Sequence, residues 1–323
     1  MQWFRANGFL LGLCLAVVVA CFWPAPGARN GILQPELVEN FGIALILFLQ
    51  GLSLAYEKLR NSAGNWRLHG IIQAFTFLVF PLVGIVFQLV GPRLWPGEPT
   101  AIQAGFLYLC VLPSTVSTSV VLTAVARGNV AGALFNAALS NLMGVFLTPL
   151  LVQILMQTTG QSTPFLPLLG KILLLTLVPF FLGMWLRRHI RSWVDHHKAW
   201  VGRISNGVII FIVYCAFCDS VMEKVWQKQG VAFTAAVLGG VVLLFVGMSL
   251  LVAATVRCFR LNREDAIAAY FCSVKKTLAM GVPLAMLIFG DRADLSLILL
   301  PIMMYHPLQL FVNGVLANRW AKS

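Results

Sequence analysis

Acidic residues are scarce in this chain: 11 Asp and Glu stand against 23 Lys and Arg in 323 positions. All eleven fall in connecting segments or at the edges of apolar runs, never in their interior. That removes paired-acid chemistry from the apolar parts and limits charge-based binding of cations there. Charge of either sign is thin, at 11%, where soluble domains carry roughly 25%. Hydrophobic residues make up 59%, with a mean hydropathy of +0.86. A soluble fold of this length has no means of hiding so much apolar surface, so lipid must cover the outside. The connecting segments are short, which leaves no room for a soluble domain. Also missing are GxSxG, HExxH, a metal-ligand cluster and any RRM or zinc-finger pattern. The net charge of +12 therefore does not signal nucleic acid. Of the seven cysteines, Cys215 and Cys218 form a CxxC. It lies inside an apolar run without ligand partners, so it reads as small membrane residues rather than a redox or zinc motif.

What the chain does have is apolar runs of about 20 residues, the length that spans a bilayer. Ten are expected, near 8–23, 37–56, 68–90, 101–126, 130–157, 165–186, 204–222, 231–257, 265–289 and 294–318. With the N-terminus inside, fifteen Lys and Arg fall in inside segments and five in outside loops. The positive-inside rule thus places both termini in the cytoplasm. A competing reading concerns Arg5 and Val18-Val19-Ala20-Cys21, which resemble a lipoprotein signal with its cleavage box. Cleavage would leave nine spans.

Residues 1–160 and 165–323 each supply five spans. Because five is odd, the second copy enters from the opposite side, which gives a 5+5 inverted repeat. The fourth span of each half is unusual in the same way. In the first half Pro113 is followed by Ser114, Thr115, Ser117, Thr118 and Ser119. In the second, Lys275, Lys276 and Thr277 precede Gly281 and Pro283, which mark a broken helix. Broken helices present half-helix ends to a cavity: N-termini attract anions and freed carbonyls attract cations. The hydroxyl cluster also fits ordinary packing between membrane helices. Asn136, Ser140 and Asn141 follow in the fifth span and add oxygens suited to a monovalent cation.

The lysine pair is the strongest functional signal. The stretch AIAAYFCSVKKTLAMGVPLAMLIF, 266–289, has no acid. An ammonium at the bilayer centre costs about 2.5–3.5 kcal/mol on insertion scales, so it needs a cavity, a partner or a substrate. The bland alternative is that the lysines snorkel to the interface. His306, beside Pro307 and Gln309, is the only histidine expected within the membrane, either packed or as a relay or substrate contact.

Three stretches carry a family resemblance: LPSTVSTSVVLTAVARGNVAGALFNAALSNLMGVFLTPLL (112–151), CSVKKTLAMGVPLA (272–285) and LPIMMYHPLQL (300–310). Over nearly its whole length the chain resembles the bile acid:sodium symporter superfamily. Within it, the branch of solute carrier family 10 member 7 and its bacterial relatives is most similar. The resemblance implies an all-α polytopic membrane protein with ten transmembrane helices. Spans 3–5 and 8–10 form a core domain and spans 1, 2, 6 and 7 a panel domain, with broken, crossing helices 4 and 9. Substrate lies between the domains and alternating access moves it.

The resemblance also implies two sodium sites. Thr118, Ser119, Asn136, Ser140 and Asn141 occupy or flank polar positions of the first. The family's span-9 glutamate is missing, with Ser273 near its place. Gln73 is the nearest candidate for the second site's glutamine, where Val274, Lys275 and Lys276 also fall. One lysine is therefore expected to replace sodium at the second site and neutralise the crossing. The other is expected to attract an anionic substrate. A desolvated amine also releases its proton more readily than one in water, so a proton joins sodium as a candidate coupling ion. No other cofactor or metal is expected.

The leading function is a secondary transporter of a small organic anion, with Lys275, Lys276, His306 and Gln309 as substrate-binding or counter-charge residues. A membrane ligand sensor or regulator, for example of ion homeostasis, is a second class. An intramembrane Ser273–Lys276 dyad would be a third.

Overall fold

A computed structural model of the chain describes residues 2–29, 31–33, 35–53, 64–94, 99–157, 165–224, 229–289, 292 and 294–322. Lys58, Arg60 and Lys228, counted in the charge asymmetry, lie outside the described residues. So does the side chain of Ser117.

The described residues are almost all helical, and no strand occurs among them. In chain order they are α1 (Gln2–Phe22), α2 (Pro35–Ser53), α3 (Trp66–Ala74), α4 (Phe80–Leu94), α5 (Thr100–Val111), α6 (Ser117–Val125) and α7 (Val130–Gln157). There follow α8 (Phe165–His196), α9 (Lys198–Met222), α10 (Val231–Cys258), α11 (Arg263–Ser273), α12 (Leu278–Phe289) and α13 (Leu295–Trp320). A π turn, Phe75–Val79, joins α3 to α4.

Six helical stretches are long and apolar enough to cross a membrane by length and composition: Trp66–Gly91, Val130–Leu155, Ala199–Met222, Ala232–Cys258, Arg263–Phe289 and Leu295–Trp320. The chain is an integral membrane protein. In Arg263–Phe289, which carries the lysines, 83% of the apolar window is buried, against 33% in Ala232–Cys258. The lysine pair is therefore interior, and the snorkelling reading fails.

The chain divides into two compact units. One comprises Met1–Leu54, Leu166–Thr234 and Ala279–Leu299. Within it α9 packs on α1 and α2, and α2 meets α8 through glycines. A methyl on Gly51 would collide with the carbonyl oxygen of Phe180, and one on Gly183 with that of Phe48. The two backbones thus touch directly, the device by which membrane helices gain contact area without a hydrophobic driving force.

The other unit comprises Ala55–Phe165, Ala235–Leu278 and Leu300–Ser323. Three of its helices start on an asparagine. Asn65, Asn129 and Asn262 each accept the backbone N–H three residues on, from Leu68, Gly132 and Asp265, as N-caps do. The remaining amide hydrogens converge. Asn65 Nδ2 (2.7 Å), Asn129 Nδ2 (2.7 Å) and Asn262 Nδ2 (3.1 Å) all donate to the carboxylate of Asp265. Asp265 is buried, and the positive ends of α3, α7 and α11 surround it.

Two outcomes test this arrangement by thermal unfolding in detergent. Gly51→Ala and Gly183→Ala should each destabilise by about 1–3 kcal/mol through overpacking. Gly202→Ala, with open space around it, should not. Asp265→Asn should destabilise by about 2–5 kcal/mol, because it leaves converging donors without a carboxylate. Asn129→Asp combined with Asp265→Asn should recover much of that loss, since Asp caps α7 as well as Asn does and restores the acceptor. A double variant no better than Asp265→Asn alone would show that the shared carboxylate is not what matters.

Candidate functional site

The site grows from three places where the backbone cannot satisfy itself. The first is the π turn. There the Phe80 N–H bonds to the Phe75 carbonyl. Residue 81, the next residue that could serve the Thr76 carbonyl, is proline and has no N–H. The second is the end of α5. Pro113 disfavours a helical Leu112, which is extended at φ −69° and ψ 149°. The N–H of Ser114 then goes to Ser140 Oγ at 3.0 Å instead of returning to Cys110. The third is the interruption at 274–277 between α11 and α12. It lies at the lysines themselves and not at Pro283, which sits inside α12.

The freed groups are matched by side chains. Lys276 Nζ donates to the carbonyls of Leu112 (2.6 Å), Cys110 (2.8 Å) and Thr76 (3.2 Å). An ammonium has three N–H donors, and all three are used. The face of Phe80 lies 4.0 Å from the same nitrogen, a cation–π contact worth about 2 kcal/mol when desolvated. Thr148 Oγ1 donates to the Val111 carbonyl, and Asn141 Nδ2 to that of Ser114. The N–H of Thr277 bonds to the Pro113 carbonyl at 3.0 Å, so the two interruptions meet backbone to backbone. At the end of α11, Ser119 Oγ donates to the Phe271 carbonyl and Ser114 Oγ to that of Cys272. Tyr305 donates to Val274 O at 2.6 Å. Gln309 clamps the Lys276 backbone at both ends, accepting its N–H and donating to its carbonyl, each at 2.8 Å.

Lys275 is the opposite case. It is 0% exposed, and its Nζ has no hydrogen-bond partner among the described residues. Ser273 Oγ and Gln73 Oε1 are buried in the same condition. The ammonium of Lys276 is directed at carbonyls of the π turn and the α5 end, so it forms no Ser273–Lys276 dyad.

Residues 7–322 match the SBF-like CPA transporter family (DUF4137). The chain belongs to that family. An uncharacterized protein of Pseudomonas aeruginosa is 39% identical over 322 residues, covering 99% of this chain and 94% of that protein. YfeH of Escherichia coli strain K12 is 36% identical over 330 residues, 100% and 95% of the two chains. Sodium/bile acid cotransporter 7-B of Xenopus laevis is 30% identical over 318 residues, 97% and 91%. The expected relationship to the bile acid:sodium symporter superfamily therefore holds. As a member of the SBF-like CPA transporter family, the chain is a transporter and not an enzyme.

In this transporter the other residues singled out from sequence fall as follows. Thr118 shares a hydrogen bond with Thr115 at 2.9 Å, and Thr115 with Ser119 at 3.0 Å. Gln73 Nε2 donates to the carbonyl and to Oδ1 of Asn136, at 3.1 and 3.3 Å. Asn136 Nδ2 also contacts His69 Nδ1 at 2.9 Å. His306 Nδ1 lies 3.0 Å from Gln309 Nε2. Among the described residues no group of three or more His, Cys, Asp or Glu could hold a metal ion.

Two residues escaped the sequence reading. His69 is a second buried histidine within a membrane span, packed on Phe135 at 4.2 Å. Its place at a span edge disguised it. Asn313 is buried, and both polar atoms of its amide lack partners among the described residues. Its register with His306 and Gln309, seven and four residues earlier, was the available signal.

The two lysines should respond oppositely to removal of charge. Lys276→Met keeps volume but leaves three buried carbonyls unpaired, and should destabilise by about 2–5 kcal/mol. Lys275→Met removes an unpaired buried ammonium, and should be neutral or stabilising. Unfolding temperatures of the two variants in one detergent check this.

Proposed function

We propose that this transporter carries a small organic anion by alternating access. In this reading Lys276 stands as a tethered cation where the interrupted helices meet, and Lys275 supplies the charge that meets the substrate. The observation that carries it is the contrast between adjacent, fully buried lysines. Lys276 Nζ is saturated by three carbonyls, whereas Lys275 Nζ has no partner among the described residues. An unpaired ammonium in a membrane interior is costly and marks a functional position. His306 and Gln309 belong to the same reading as neighbours of the lysine segment, and Asn313 extends it along α13. The architecture proposed is ten spans in two inverted five-helix repeats, 1–160 and 165–323, with both termini cytoplasmic. Spans 3–5 and 8–10 form the core domain, and spans 1, 2, 6 and 7 the panel domain.

Coupling is proposed to run through sodium among Thr118, Ser119, Asn136, Ser140, Asn141, Ser273 and Gln73, or through a proton on Lys275. The polar oxygens of α6 and α7 support the first, and the unpaired amine supports the second. At the place of the second sodium, Lys276 supplies the positive charge.

Purified protein, heated with sodium, potassium or a panel of organic anions across pH, separates these routes. An anion at a hundred times its Kd should stabilise the wild type by about 2.7 kcal/mol. Lys275→Met should lose that gain. Sodium-specific stabilisation assigns coupling to the α6–α7 oxygens. A pH-dependent, sodium-indifferent response assigns it to the amine. Uptake of the stabilising anion by proteoliposomes is the expected final outcome. Binding without uptake would identify a ligand sensor instead, and an undiminished anion response in Lys275→Met would overturn the role of Lys275.

A further inference from the structure

The α8–α9 connection carries features that the transport reading does not use. The part of α8 before its bend at residue 190 runs about 37 Å, more than the ~30 Å hydrocarbon core of a bilayer. The charged stretch around that bend, from Arg187 to His197, therefore belongs at the membrane surface. The helix bends at Ile190, whose φ of −116° and ψ of 26° are not helical, and α9 begins two residues after α8 ends. The resulting elbow is held on α2. Val194 and Val201 pack with Leu49 and Leu52. Arg187 Nη1 donates to the Leu52 carbonyl at 2.9 Å, and Nη2 pairs with Asp195 at 2.9 Å. Arg187 is thus an internal tie, and Asp195, the acid of this segment, is taken up by it.

The outward face is basic and aromatic. Trp185, Trp193 and Trp200 are 58%, 54% and 61% exposed. Each stands against a nitrogen-bearing side chain: Trp185 on His189 at 4.7 Å, Trp193 on His197 at 4.6 Å, and Trp200 under Arg203 at 5.3 Å. Arg188, Arg191 and Arg203 are exposed. Arg191 approaches Asp195 at only 3.7 Å with both side chains half exposed, so it stays available. Tryptophan rings favour the headgroup level, and guanidinium groups grip phosphate oxygens in pairs.

We propose that the elbow 185–203 is a docking surface for the headgroups of anionic phospholipids. The occupant follows from charge and from solvent preference together. The arginines require an anion, and the exposed tryptophans require an acyl or glycerol boundary beside it.

The test uses the full-length protein, stripped of lipid in detergent and titrated with phosphatidylglycerol, phosphatidylcholine or soluble glycerol phosphate. Retained lipid is read by native mass spectrometry. Wild type should retain phosphatidylglycerol and not phosphatidylcholine. The combined Arg188→Gln, Arg191→Gln and Arg203→Gln variant should bind on the order of 100-fold more weakly, at about fivefold per arginine. The combined Arg257→Gln, Arg260→Gln and Arg319→Gln variant removes equal charge elsewhere and should bind as wild type. Quenching of tryptophan fluorescence by brominated phosphatidylglycerol should fall in the combined Trp185→Phe, Trp193→Phe and Trp200→Phe variant. Equal losses in the two arginine variants would reduce the effect to net charge and overturn the proposal. So would equal retention of phosphatidylcholine, unchanged quenching, or competition by glycerol phosphate at matched phosphate concentration.

Discussion

A backbone that must stop being helical inside a membrane has to find partners for the carbonyls it frees, because lipid offers none. In this protein that constraint falls chiefly on one ammonium. The π turn before Pro81, the Pro113 corner and the interruption at 274–277 would each be untenable alone. Lys276 answers the first two from the third, and Thr277 joins the second to the third through the Pro113 carbonyl. The hydroxyls and amides around them complete the same task, which explains why a polar cluster can sit in so apolar a chain.

The helix that delivers Lys276 is fixed at its other end by a charge of opposite sign. At the start of α11, three helix N-termini and their capping asparagines face the Asp265 carboxylate. Beyond its end, an ammonium faces the carbonyls left by other elements. Each charge therefore sits where helix dipoles favour it. Among the described residues neither is paired with a countercharge by a salt bridge, so partial charges of backbone and amide groups do the neutralising.

Much of this was legible in the sequence. Run length and charge thinness gave the membrane class. Pro113 located one interruption, because proline acts locally on the residue before it. The second was misplaced towards Gly281 and Pro283. Pro283 sits inside α12 without ending it, and the real interruption depends on Gln309 and Pro113, which are remote in sequence. The roles of the two lysines could not be divided from sequence either. Adjacent residues point about 100° apart, and only the fold reveals which of them meets carbonyls. The Asn65, Asn129 and Asn262 caps each follow a local pattern, but their convergence on Asp265 is tertiary. His69 was missed because it stands in the first turn of a span.

A cation joined covalently to the chain has no concentration on either side of the membrane. It carries no chemical potential that differs between two compartments, so an ammonium at Lys276 draws on no gradient. Whatever drives net movement through this protein must enter at a group whose occupancy can change. By holding Lys276 on three carbonyls at once, the fold gives those carbonyls a partner that cannot leave.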